Sequence, residues 1–269
     1  MKTFTINAQT MQYQDIGEGP VLVFGHSYLW DSTMWAPQVE VLSQSYRCIV
    51  PDFWGHGQSS AAPESTRTLK DYANDVLALL EHLDIDTFSL IGLSSGGMWA
   101  TELVINAPAR VKSLVLMDTF VGLEPEVVHT KYFAKMAEME AHSALTTDIV
   151  EFFDDRQFAG VDSSDPIRHT FRENLLASSK EKAHALAKAG RMIFGRRDMF
   201  EDAEMFALPT LIMVGAKDAM RPVLESQLMH DGITGSEFVL IPNAGHISNL
   251  EQPEFVTDRL RAFLSHHAN

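Results

Sequence analysis

The sequence predicts an α/β fold, a mostly parallel sheet flanked by helices. Three observations carry that prediction. Short runs that are apolar at nearly every position recur along the chain, longer stretches with helical periodicity separate them, and the runs stop at glycine, proline or aspartate. A run with no polar face is what a strand covered on both sides requires. Such strands alternating with helices imply parallel neighbours joined by right-handed crossovers.

The runs come in order. Val21-Leu22-Val23-Phe24 ends at Gly25, Arg47-Cys48-Ile49-Val50 at Pro51-Asp52, and residues 87–91 at Gly92. Ser113-Leu114-Val115-Leu116-Met117 ends at Asp118, Leu211-Ile212-Met213-Val214 at Gly215, and residues 237–241 at Pro242. Among the helical stretches, residues 69–83 put Tyr72, Val76, Leu79 and Leu80 on one stripe, with Thr68 and Asp71 spaced as a capping box. Residues 253–264 do the same with Phe255, Val256, Leu260 and Phe263. From about 120 to 207 no strand run appears. That interval reads as several helices rich in Phe and Met, among them Phe133, Met136, Met139, Phe153, Met192 and Phe194. A structureless loop of that length does not fit a compact domain, so a helical insertion is expected, its Met and Phe residues mostly local core and its underside the roof of a cleft. The expected division is a core of residues 1–119 and 207–269 with a cap of 120–206.

Composition narrows the function. At 269 residues, 45% hydrophobic and 21% charged, the chain is that of a globular protein of one or two domains. Acidic residues outnumber basic ones by 36 to 21, and the formal charge of −15 repels phosphate backbones and anionic lipid. Nucleic acid and membrane are therefore not expected partners. The one cysteine, Cys48, lies in an apolar run and reads as a small buried hydrophobe. The first residues lack the apolar core of a signal peptide, and no stretch reaches transmembrane length, which gives a soluble, cytoplasmic expectation.

Gly92-Leu93-Ser94-Ser95-Gly96 fits G-x-S-x-G, between an apolar strand run and a helix opening at Gly96-Gly97. A strand that turns at once into a helix strains the serine, and neighbours without side chains avoid the clash. Ser94 is thus the candidate nucleophile; Ser95 is wrongly spaced between the glycines. A serine hydroxyl needs a base. His246 provides one, in Pro242-Asn243-Ala244-Gly245-His246, directly after a strand run. An acid must orient that base. Asp218 follows Val214-Gly215-Ala216-Lys217 and is preferred to Asp118, which ends the preceding strand. Asp218 as a simple helix cap is the plainer alternative. Two backbone N–H groups should face the developing oxyanion, one from Ser95 and one from the loop Gly25-His26-Ser27-Tyr28-Leu29-Trp30-Asp31.

At these residues the chain resembles the α/β-hydrolase superfamily, across nearly its whole length. The resemblance implies an eight-stranded, mostly parallel sheet with a helical cap inserted after the sixth strand. The family's early His-Gly, followed by Trp, stands here as His26-Ser27 with Trp35 at the matching distance. It implies that Tyr28 donates the second oxyanion N–H. Ser27 replaces the usual glycine, which puts the loop conformation in question and offers a hydroxyl to the site. Pro51-Asp52-Phe53-Trp54-Gly55-His56-Gly57-Gln58-Ser59 looks like the family's turn after the next strand, with Trp54 where Arg or Pro is commoner. His56 has no spaced partners and reads as a turn residue rather than a metal ligand. Asp118-Thr119 and His246-Ile247-Ser248-Asn249-Leu250-Glu251 look most like the small esterase and 3-oxoadipate enol-lactonase branch. Ser94 argues against dehalogenases and epoxide hydrolases of this fold, whose nucleophile is Asp.

The expected activity is hydrolysis of a small carboxylic ester or lactone through an acyl-enzyme, with neither cofactor nor metal, by a monomer or homodimer. Ser27 and Trp30 are candidate substrate-binding residues. An alternative is a C–C bond hydrolase of a diketone-like acid, whose carboxylate Arg172, Arg191, Arg196 or Arg197 would hold. Another is a ligand-sensing module that keeps the triad but signals through a partner.

Overall fold

The computed structural model describes residues 1–268. In chain order its elements are β1 (Lys2–Ile6), β2 (Gln9–Ile16), β3 (Val21–Gly25), α1 (Ala36–Leu42), β4 (Arg47–Pro51), α2 (Leu69–His82), β5 (Phe88–Leu93), α3 (Ser95–Asn106) and β6 (Val111–Met117). There follow α4 (Glu126–His142), α5 (Thr147–Gln157), α6 (Pro166–Leu176), α7 (Lys180–Phe194), α8 (Phe200–Glu204), β7 (Thr210–Gly215), α9 (Val223–Gly232), β8 (Glu237–Ile241), α10 (Ser248–Glu251) and α11 (Pro253–His267). Among the described residues the strands form one eight-stranded sheet, ordered β1-β2-β4-β3-β5-β6-β7-β8. β2 pairs antiparallel with β1 and β4; every later pairing is parallel.

Each apolar run became one of the strands β3 to β8. Every residue of β5 and β7 is buried, as strands under helices on both faces must be. β1 and β2 had no such run. They form an edge hairpin whose turn residues Asn7 and Ala8 take φ 48° and 63°, the left-handed pair that suits a two-residue hairpin. The capping box at α2 forms as expected, Thr68 accepting from Asp71 N–H while Asp71 accepts from Thr68 N–H. Cys48 is buried on β4. No helix among the described residues is long and apolar enough to cross a membrane.

Parallel register gathers the strand ends. Gly25 pairs with Gly92, Leu93 with Met117, and Gly215 with Ile241, so the loops after β3, β5, β6, β7 and β8 open along one edge. That edge is where open α/β sheets place their chemistry.

Helices α4 to α8 fill the chain between β6 and β7. Their Phe and Met residues are mainly a local core: Tyr132 stacks on Phe194 with centroids 3.8 Å apart, and Met136, Met139 and Phe153 are fully buried. Tyr28, from the loop after β3, joins that core. Its ring meets Phe153 and Phe194 edge-on, and its hydroxyl donates to Leu186 O on α7 at 2.9 Å.

A buried ion cluster pins the ends of this helical segment to the sheet. The Glu124 side chain, 2% exposed, pairs with Arg196 at 2.8 Å and with Arg221. Arg196 also donates to Gly122 O at 2.6 Å, and Arg221 N–H donates to Asp218 at 2.9 Å. Burial alone would push the Glu124 carboxyl up, but the two guanidiniums and their hydrogen bonds hold it below the ordinary range. Removing one member strands buried charge, so E124A is expected to lose about 3–5 kcal/mol of stability at neutral pH. A carboxyl depressed on folding stabilises above its unfolded pKa. The wild-type advantage should therefore be full above about pH 4.3 and close as the pH falls through the folded value. Urea unfolding at pH 7 and at acid pH reads this; equal midpoints for both proteins at pH 7 would contradict it.

Candidate active site

Ser94 sits at the turn from β5 to α3 with φ 56° and ψ −119°, a conformation a side-chain-bearing residue adopts only under constraint. Two glycines supply the room. A Cβ on Gly92 would lie 2.4 Å from Gly96 carbonyl atoms, and one on Gly96 would lie 2.0 Å from Gly25 O. The elbow and the end of β3 therefore nearly touch, which brings the loop of residues 26–31 to the serine. Ser95 ties the two, its hydroxyl donating to His26 O at 3.1 Å. Ser95 is also the first residue of α3, where N–H groups have no partner within the helix.

The three residues read as nucleophile, base and acid meet in one hydrogen-bonded line. His246 Nε2 is 3.0 Å from Ser94 Oγ, and its Nδ1 is 2.9 Å from Asp218 Oδ2. The other Asp218 oxygen accepts the N–H groups of Met220 and Arg221, both at 2.9 Å. That pair of bonds fixes the carboxylate and leaves Oδ2 for the imidazole. An imidazole that donates through Nδ1 presents a lone pair at Nε2, so the serine hydroxyl has an acceptor. Asp218 braces the turn that follows β7 and does not cap the next helix, whose N-cap position is Pro222 without a side-chain bond; it meets His246 as well.

Asp118 lies close by but elsewhere. It accepts Gly215 N–H at 2.7 Å and is hydrogen-bonded to the Ser248 hydroxyl, not to His246. Burial and the neighbouring Asp218 push its carboxyl well above the ordinary range, against the bonds from Ser248 and Gly215. Two buried carboxyls this close do not share full charge.

The loop after β3 answers the question raised by Ser27. Its left-handed residue is Leu29, at φ 70°, and not Ser27. Serine therefore fits without strain. Its hydroxyl is buried and lacks a hydrogen-bond partner among the described residues. His26 braces the loop with both ring nitrogens, Nδ1–H donating to Ser27 O at 2.8 Å and Nε2 accepting from Phe53 N–H at 2.8 Å. Burial lowers its pKa, with Asp52 opposing, which suits this neutral tautomer. His56 bonds Trp54 O at 3.1 Å within its turn.

Trp30 is placed away from the hydrogen-bonded line. Its indole N–H donates to Gln157 at 2.6 Å and its ring stacks on Phe171 at 5.1 Å. Gln157, which no sequence signal marked, also donates to Tyr28 O at 3.3 Å. Trp30, Phe171, His56 and Lys182 line a cavity of about 660 Å³ between this loop and helices α6 and α7. A second cavity, about 890 Å³, lies beside Phe206 and Leu208. Neither has Ser94, Asp218 or His246 on its walls. Ser94 is 2% exposed and His246 1%, so the site is closed.

The arginines proposed as carboxylate holders are all committed. Arg172 pairs with Asp154 at 2.9 Å, Arg191 with Glu140 at 2.7 Å, Arg196 with Glu124 at 2.8 Å, and Arg197 with Glu102 at 2.9 Å. These pairs tie together segments distant in the chain, and a substrate carboxylate would have to displace an acidic side chain from each.

Sheet order, elbow and strand-end loops define the class: the chain belongs to the α/β-hydrolase family. Residues 20–139 match the family model described as the alpha/beta hydrolase fold. The chain is 30% identical to a 3-oxoadipate enol-lactonase of Acinetobacter baylyi, over 87% of this chain and 85% of that one. It is 26% identical to a carboxylesterase of Bacillus subtilis, over 92% of this chain and 81% of that one. Among solved structures it resembles a thermophilic esterase from Thermogutta terrifontis, with a TM-score of 0.89 and 28% identity over 99% of this chain and 97% of that one.

Proposed function

We propose that this chain is a carboxylic ester hydrolase that cleaves small esters or lactones through an acyl-enzyme on Ser94. The observation that carries the reading is the Ser94–His246–Asp218 line at the strand edge, with bonds of 3.0 and 2.9 Å. The names of its relatives, a lactonase and esterases, point the same way.

The chemistry follows from the geometry. His246 Nε2 takes the Ser94 proton as Oγ attacks the acyl carbon, and Asp218 stabilises the imidazolium that forms. The N–H groups of Ser95 and Tyr28 receive the oxyanion. The Tyr28 side chain is engaged with Leu186, so its part in the reaction is played by main chain. His246 then protonates the departing alkoxide, and water, activated by the same imidazole, releases the acid. With a lactone, both products remain one molecule. Because Ser94 is closed off, the helical segment 120–206 acts as a lid that must shift to admit substrate. The C–C alternative loses its support, since its carboxylate-binding arginines are paired.

Steady-state hydrolysis of p-nitrophenyl esters from acetyl to dodecanoyl, with simple lactones followed by pH-stat, tests this reading. Turnover with short acyl chains is expected, and none across both series would overturn it. Imidazole and backbone amides here do the work that a metal does in other hydrolases. Turnover should therefore survive exhaustive chelation; activity lost to chelator and restored by zinc would contradict the mechanism.

A further inference from the structure

A carboxylate brackets His246. Glu251, the last residue of α10, accepts Gly245 N–H at 2.8 Å through Oε2 and Ile247 N–H at 3.2 Å through Oε1. Those are the amides on either side of His246. Upstream, the loop carrying the histidine is anchored where Lys217 N–H donates to Ala244 O at 2.8 Å and Ala216 N–H donates to Ile241 O at 2.9 Å; downstream, the side chains of Ser248 and Asn249 bond Asp118 and Met34 O. Asn243 in this loop takes φ 59°, so the segment turns sharply just before the histidine. Glu251 thus closes a ring around His246 that the backbone alone leaves open.

The charges facing the imidazole come from several elements. Asp218 meets it directly from the loop after β7. Asp118, after β6, is bonded to Ser248 on α10. Glu251 approaches from the end of α10 and interacts electrostatically with His246, Asp218 and Asp118. Burial, with Asp218 adding to it, holds the Glu251 carboxyl above the ordinary range, against the pull of the two amides and His246.

We propose that Glu251 is a positioning residue for ester hydrolysis: its carboxylate holds both amides flanking His246, fixes the ring between Ser94 and Asp218, and adds negative charge beside the imidazolium formed as Ser94 reacts. This rests on the reading of Ser94, His246 and Asp218 as the catalytic set. A misplacement of about 1 Å at a reacting group can cost up to about 10²-fold in rate, which gives such a hold its value.

The test compares kcat/KM against pH for wild type, E251Q and E251D on one p-nitrophenyl ester, with S94A in the same assay. Glutamine keeps the shape but offers one acceptor oxygen and no charge. E251Q is expected to lose roughly tenfold in kcat/KM. Its acidic limb should move to lower pH by about half a unit, because an anion beside an imidazole favours the charged form. E251D keeps the charge but cannot span both amides, so it should lose rate with its acidic limb in place. A purely structural role would lower the rate without moving the limb. An unmoved limb in E251Q therefore overturns the proposal, as does an equal shift in E251D. Should E251Q not fold, E251D decides alone: wild-type kcat/KM there overturns it. A silent S94A beside an unaffected E251Q removes this inference only, whereas an active S94A removes the catalytic reading beneath it.

Discussion

S94A is expected to abolish turnover, lowering kcat by about 10⁶-fold on the esters that wild type cleaves. The size of the effect follows from the unit character of the line. His246 has Ser94 Oγ as its partner on Nε2, at 3.0 Å, and without that hydroxyl neither the imidazole nor Asp218 has a nucleophile to serve. The proposed oxyanion donors and simple substrate binding would still lower the barrier to direct attack by water, so a residual rate above the uncatalysed one should remain. Alanine also carries a Cβ, and it inherits the same left-handed strain at φ 56° that serine bears now. The elbow should therefore persist, and the thermal midpoint should change little. A fluorophosphonate probe offers a second readout. It should add one adduct to the wild-type peptide containing Ser94 and none to S94A. Labelling of S94A at Ser95 with turnover retained would place the nucleophile one residue further on and dismantle the proposed mechanism.

What the sequence disclosed follows the physics of each element. Strands β3 to β7 were legible because that part of the sheet is covered by helices, which forces apolar runs such as Thr210–Gly215; β8, at the edge and partly exposed, was legible from its apolar residues alone. β1 and β2 were not, because an edge hairpin needs burial on one face only; β1 is exposed or half-buried throughout, and β2 buries Met11 and Tyr13 between half-buried neighbours. Ser94 and His246 were legible because an elbow between strand and helix, and a histidine after a strand, are local patterns. Asp118 and Asp218 were harder to separate. Both end a parallel strand, and spacing alone does not say which carboxylate reaches the imidazole; the fold decides, through Met220 and Arg221 N–H on one acid and Gly215 N–H and Ser248 on the other. The placing of left-handed strain at Leu29, one residue beyond Tyr28, has no sequence mark, since leucine rarely adopts it. The pairing of Arg172, Arg191, Arg196 and Arg197 was equally hidden, because it depends on how segments distant in the chain come together, as Arg196 and Glu124 do across 72 residues. Trp30 shows the same limit: a loop position near the oxyanion suggests substrate, while tertiary packing gives it Phe171 and Gln157.

The two buried acids make the second large prediction. D218N should lower kcat by about 10⁴-fold, while D118N should cost less than about tenfold. The argument for D218N lies in what already holds the side chain. One Asp218 oxygen accepts the N–H groups of Met220 and Arg221, so the single carbonyl oxygen of an asparagine must take that place. Its NH₂ then turns towards His246 Nδ1 and can only donate. The imidazole answers by carrying its proton on Nε2, facing Ser94, where it can no longer accept the serine proton. The geometry survives and the tautomer is wrong. At Asp118 the same replacement is nearly silent. An asparagine oxygen can accept Gly215 N–H and its NH₂ can donate to Ser248, and no charge is lost where burial and Asp218 already disfavour one. Stability gives an independent check with a definite sign. A carboxyl whose pKa rises on folding contributes fully below its unfolded value, about 3.9 for Asp, and that contribution fades as the pH climbs towards the folded value. D118N removes the fading term, so its stability should gain on wild type as the pH rises above about 4. Should D118N instead silence the enzyme while D218N keeps turning over, the acid would be Asp118, and the line through His246 would have to rearrange when substrate binds.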